Sequence, residues 1–306
     1  MNPFPKVITL PSLLQHRLEA AANPFLHPAD GCMPDFSRPA GEPALNAIDS
    51  VSWRIFKNPV ALYVGGVTAV ILELAEPRVR TGVWNHTSFR FNPLARIQRT
   101  GLAAMMSVYG PRTQAETMIK NVRRMHARIH GRTPAGQPYS ANDPELLDWV
   151  HATASFGILK AYNAYVRTLN DGERDSYYAE GAPSARLFGA SCAPTSEQEV
   201  TALFEKMHDK LEPSPIVFEF LDIMRRAPIL PYPLAPIQHV LMMAAIEIVP
   251  EPIRERLGLT GRRTPRRWHG HAARVCGAAA DRILLHSSPA IQACRRMGLP
   301  DDYLYV

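Results

Sequence analysis

Apolar residues recur at a helical period along most of the chain, and no segment alternates convincingly with the period of two expected of a half-buried strand. The clearest stripe runs through Ala115, Met118, Ile119, Val122, Met125 and Ile129, with Gly131 placed to end that helix as a C-cap. Asp143-Pro144 opens a second helix with an N-cap aspartate and a proline at the first helical position. Leu146, Leu147, Val150, Ala154 and Ile158 form its buried face, and it is expected to reach about Leu169, where Asp171-Gly172 stops it. Upstream, Asn92-Pro93 starts a helix, and ALYVGGVTAVILEL reads as a buried one. Its Gly65-Gly66 pair leaves room for the close approach of a second helix or of a flat ligand.

Further helices are expected over Arg174–Ala190, with a break near Gly181-Ala182-Pro183, and over VTALFEKMHDKL behind a Thr195/Gln198 capping box. Others follow over VFEFLDIMRRA, 237–249, PIRERLGL, 271–287 and Pro289–Met297. PILPYPLAP must be an extended connector. Residues 1–45 are rich in proline and turn residues and read as an N-terminal arm, with one short helix over Leu13–Ala22. Residues 46–306 read as a single all-α, multi-helix domain.

Two histidines lie on buried stripes. His126 falls between Val122 and Ile129, and His151 one turn after Leu147. Arg96 and Thr100 share a helix face at i, i+4. A histidine on an apolar face suits a metal or haem iron. It equally suits a core position in which the ring is hydrogen-bonded to a carbonyl, and the pattern alone leaves both open. Met242 and Met243 are similarly either pocket wall or core filler.

Composition narrows the class. Hydrophobic residues make up 46% of 306 and charged residues 20%, as in a soluble globular protein able to bury a core without staples. The net charge of +6 does not argue for nucleic acid, and GRRTPRRWHGH reads as a solvated basic turn. The apolar run ending at Glu73 is too short for a membrane span of about 20 residues. Cys32, Cys192, Cys276 and Cys294 form no C-x-x-C pair, and the start lacks a clean secretory signal; a cytoplasmic protein with reduced thiols is expected. Neither H-E-x-x-H nor paired E-x-x-H occurs, against a non-haem metal enzyme.

VRRMHARIHG followed by TPAGQPYSANDPELLDWVHAT, with LELAEPRVRTGVWNHTSFRFNPLARIQRT before it, resembles the MpaB-like oxygenase family, which includes the latex clearing proteins, or rubber oxygenases. The likeness spans Pro43–Leu299 and is strongest over Pro77–Thr153. It implies an all-helical fold with a globin-like core around haem b, whose iron is held by the histidine of an R-x-x-H-A motif. In this chain that motif is Arg123 to Ala127, with His126 as ligand. The family's R-x-x-x-T pair maps onto Arg96 and Thr100 in the haem pocket, and its W-V-H histidine onto His151. The rubber oxygenases' pocket glutamate matches only loosely, to Glu73 or Glu76, because the spacing differs. The implied activity is a haem-dependent oxygenase acting with dioxygen on a hydrophobic or lipid-like molecule; homodimer formation stays open. A non-catalytic haem-binding or sensing protein, and a cofactor-free helical interaction protein, are the alternatives.

Overall fold

The computed structural model describes residues 7–8, 15, 19, 34–230, 235–261 and 265–305. Most of the expected Leu13–Ala22 helix, Cys32 and parts of the proline connector and the basic turn lie outside the described residues.

Capping chemistry opens most of the early helices. Ser50 accepts from the Trp53 amide at the start of α1 (Val51–Phe56), and Asn58 accepts from Val60 and Ala61 at the start of α2 (Pro59–Ala75). Glu76 caps α3 (Pro77–His86), and Asn92 caps α4 (Pro93–Tyr109). In α2, α3 and α4 a proline stands in the first turn, where its missing N–H costs nothing. Helix α5 covers Arg112–His126, and Asp143 caps α6 (Pro144–Tyr165) as expected.

The remaining helices are α7 (Asp171–Phe188), α8 (Glu197–His208), α9 (Pro215–Arg226), α10 (Ala235–Glu247), α11 (Glu251–Arg256), α12 (Arg267–Ala280) and α13 (Pro289–Arg296). The all-α expectation holds, with one small addition. β1 (His130–Arg132) and β2 (Pro138–Ser140) pair antiparallel, Gly131 opposite Tyr139.

That hairpin corrects the expected end of α5. The helix stops at His126, and Gly131 is a strand residue with the Tyr139 ring against it. Met125, expected on the buried stripe, is 55% exposed. Four other expectations move for local reasons. α6 ends at Tyr165, and Asp171-Gly172 forms the first turn of α7 behind an Asn170/Glu173 capping box. α7 continues through Pro183 without a break. Ser196, not Thr195, caps α8, while the Thr195 amide and hydroxyl both donate to the Glu199 carboxylate. α12 begins at Arg267, inside the expected basic turn, and ends at Ala280.

The core is built on α2 and α6. A Cβ on Gly65 would lie 2.5 Å from the Ile158 backbone, and one on Gly157 would lie 2.3 Å from the Gly65 carbonyl oxygen. The two backbones therefore touch, and Gly65 serves helix packing rather than a flat ligand. α10 covers another side of α2, where the Thr68 hydroxyl donates to the Ala245 carbonyl at 2.9 Å. Met242 and Met243 lie in this core as filler. α12 presses on the end of α6, with Gly277 against the Tyr165 carbonyl.

No single described helix is long and apolar enough to cross a membrane.

Candidate active site

With α6 on one side of α2 and α10 on another, one arc of α2 is left only partly buried. Leu62, Tyr63, Gly66, Val70 and Glu73 share it at helical spacing. α4 packs on α1, α5 and α13, and α5 on α7. The Arg96 charge of α4 acts on both Glu73 and His126.

Glu73 makes no ion pair or hydrogen bond through its carboxyl among the described residues. Burial pushes that carboxyl up to about 7, against the pull of the Arg96 cation. Glu76, the other candidate from the sequence, is fully occupied. Its carboxylate accepts from the Val79 amide at 2.8 Å and from the Arg78 guanidinium at 2.7 Å. The geometry thus separates two acids three residues apart: Glu76 builds the α2–α3 corner, and Glu73 is the one that feels the Arg96 charge.

Arg96 and Thr100 meet as their spacing predicts. The guanidinium donates to the Thr100 hydroxyl oxygen, and that hydroxyl donates to the Arg96 carbonyl at 2.9 Å. Burial lowers the Arg96 value, Glu73 raises it and neighbouring Arg99 lowers it again. A guanidinium stays charged across any working pH, so Arg96 is a fixed cation.

His126 closes α5. Its Nδ1 is buried with no hydrogen-bond partner among the described residues. Burial lowers its basicity first and the Arg96 charge second, which keeps the ring neutral at pH 7. A buried, unpaired, neutral imidazole nitrogen is a costly feature for a core to carry. It is also the state an iron ligand requires. The core-histidine alternative calls for a carbonyl partner, and none is bonded to Nδ1 among the described residues.

The other two sequence candidates stand apart from this group. His151 packs against α7, with Ser155 Oγ 3.5 Å from its Nε2, and a Cβ on Gly181 would lie 3.1 Å from its Cε1. Burial drives its ionisation down to about 4. Arg123 is exposed and lines a surface depression of about 510 Å³ with Lys120, Arg124 and Leu187, while its carbonyl receives the Asn142 side chain at 3.0 Å. No hydrogen bond or ion pair joins either residue to Glu73, Arg96 or His126 among the described residues.

No group of three or more His, Cys, Asp or Glu side chains among the described residues is arranged to hold a metal ion.

The family model of the ER-bound oxygenase mpaB/B'/Rubber oxygenase catalytic domain matches residues 53–279. The chain belongs to this family. No curated protein and no solved structure matches it. The mpaB/rubber oxygenase match includes Glu73, Arg96, Thr100, Arg123, His126 and His151, and stops short of α13. Membership places the chain among oxygenases, and so among enzymes.

The sequence singled out Gly66 with Gly65 for close approach, but not Tyr63 or Val70 on the same partly buried arc. α2 is apolar on nearly every side, so periodicity could not tell its open arc from its packed ones.

Proposed function

We propose that this chain is a haem b-dependent oxygenase acting with dioxygen on a hydrophobic substrate, with His126 as the protein's ligand to the haem iron. The observation that carries the reading is the buried, unpartnered Nδ1 of His126 beside Arg96. The donor set suits a haem: one neutral imidazole, a fixed guanidinium for an anionic carboxylate, and an apolar arc of α2 for a flat ring or chain. When bound, the haem would supply the redox chemistry with dioxygen.

The chain's own residues do the rest. Arg96 offers its guanidinium to a propionate or to developing negative charge, and its bond to Thr100 holds it in place. Thr100 is exposed beside it, with a hydroxyl that can turn toward a ligand. Glu73, with its carboxyl near 7, is divided between protonated and ionised forms at neutral pH and can accept or return a proton at a carboxyl oxygen. Val70, one turn before Glu73, presents apolar surface that keeps water from the reacting end. His151 is assigned to packing against α7, and Arg123 to the outer surface of α5.

An absorbance spectrum of protein expressed with ample haem tests the reading. The parent is expected to show a Soret band that His126→Ala loses and His151→Ala keeps. A His126→Ala protein with an unaltered Soret band would sink the ligand assignment.

A further inference from the structure

Two residues on the open arc of α2 have no role in the reading above. Tyr63 packs its ring against the core, yet its hydroxyl is buried and has no hydrogen-bond partner among the described residues. Burial raises its ionisation, and no charged group among the described residues acts on it. One turn on, a Cβ on Gly66 would meet nothing within 4 Å, whereas on neighbouring Gly65 it would strike α6. A glycine in a helix interior is costly, and packing explains only the first of the pair. Glu73 lies ten residues beyond Tyr63 on the same arc, about 15 Å along the axis at the α-helical rise. Val70 is the apolar step between.

We propose that this arc seats an elongated apolar ligand, that Tyr63 anchors its far end by donating a hydrogen bond to a neutral carbonyl oxygen, and that Gly66 leaves the space in which the chain lies. The proposal rests on Glu73, Arg96 and His126 being the reacting end. The class of ligand follows from the two ends. A buried hydroxyl left unpaired costs stability that an acceptor recovers, so an alkane wastes the site. A carboxylate beside Tyr63 would be buried with no cation among the described residues to offset its lost hydration. An ester, ketone or aldehyde oxygen satisfies the hydroxyl without that penalty. The arc therefore fits a long hydrocarbon with a carbonyl at one end and its reacting carbons some 15 Å away, near Glu73.

Equilibrium dialysis of the full chain against labelled methyl laurate and labelled dodecane tests this. The parent is expected to retain the ester about tenfold better than the alkane, the worth of one neutral hydrogen bond. Tyr63→Phe should erase that preference by weakening only the ester. Gly66→Leu, checked for an intact helical circular-dichroism spectrum, should retain neither, and Tyr63→Phe decides the matter if Gly66→Leu does not fold. Equal retention of ester and alkane by the parent, or an undiminished preference in Tyr63→Phe, overturns the proposal. The Soret band, recorded on the same samples, separates the two readings. An ester preference that depends on Tyr63 in a protein without the band removes the haem reading and leaves the ligand seat standing.

Discussion

Glu73 and Glu76 have the same side chain on adjoining turns and opposite fates. Glu76 is held by an amide and a guanidinium, while Glu73 faces apolar surface and one partly buried arginine. The consequence appears in stability. Below about 4.5 the Glu73 carboxyl is protonated both folded and unfolded, so its burial costs nothing through ionisation. As pH rises toward 7, the unfolded chain releases the proton and the folded chain resists. The folded state thereby loses up to about 3 kcal/mol relative to an unperturbed acid. Glu73→Gln is expected to be more stable than the parent at pH 8, by an amount that shrinks to nothing near pH 4.5. Urea unfolding at the two pH values checks it, and a gain that is larger at the acid end would refute the assignment. Such a gain on removing a polar group is what a functional residue shows when stability has been given up for activity.

At the scale of elements, the Gly65–Gly157 contact makes α2 and α6 one packed unit. Gly65→Ala puts a methyl into the Ile158 backbone and is expected to cost about 3 kcal/mol through overpacking. Gly66→Ala, one residue on, enters open space and is expected to stabilise by about 0.5–1 kcal/mol through helix propensity. Thermal unfolding of the pair tests the assignment of the two sides: similar melting temperatures would show that they are not distinct. Much at this scale was legible in the sequence. Proline and N-cap pairs marked the starts of α4 and α6, and helical periodicity marked the class. What was not legible is physical in origin. Gly131 looked like a C-cap, but β1 pairs it with Tyr139, a partner eight residues on that local pattern does not reveal. The Arg96–Thr100 pair followed from i, i+4 geometry, whereas the meeting of Arg96 with Glu73 and His126 joins three helices and depends on packing.

For the molecule as a whole, Arg296 is the principal clasp. It is 2% exposed, and its guanidinium donates to the carbonyls of Phe36, Glu42 and Tyr109 at 2.6 to 2.8 Å. α13 is thereby tied to the segment before α1 and to the last residue of α4, the helix that carries Arg96 and Thr100. Arg296→Met keeps the apolar bulk and leaves three carbonyls without their donor. It is expected to lower unfolding free energy by at least about 3 kcal/mol. Chemical denaturation measures this directly, and a loss under 1 kcal/mol would mean that water replaces the guanidinium.

The same clasp bears on how the protein is made. A growing chain leaves the ribosome with α4 long before α13, so the Tyr109 end of α4 waits unsealed through the synthesis of nearly two hundred further residues. The helix that presents Arg96 is thus tethered at its far end only once Arg296 has been made, and chains truncated before Arg296 would carry an α4 that is never locked.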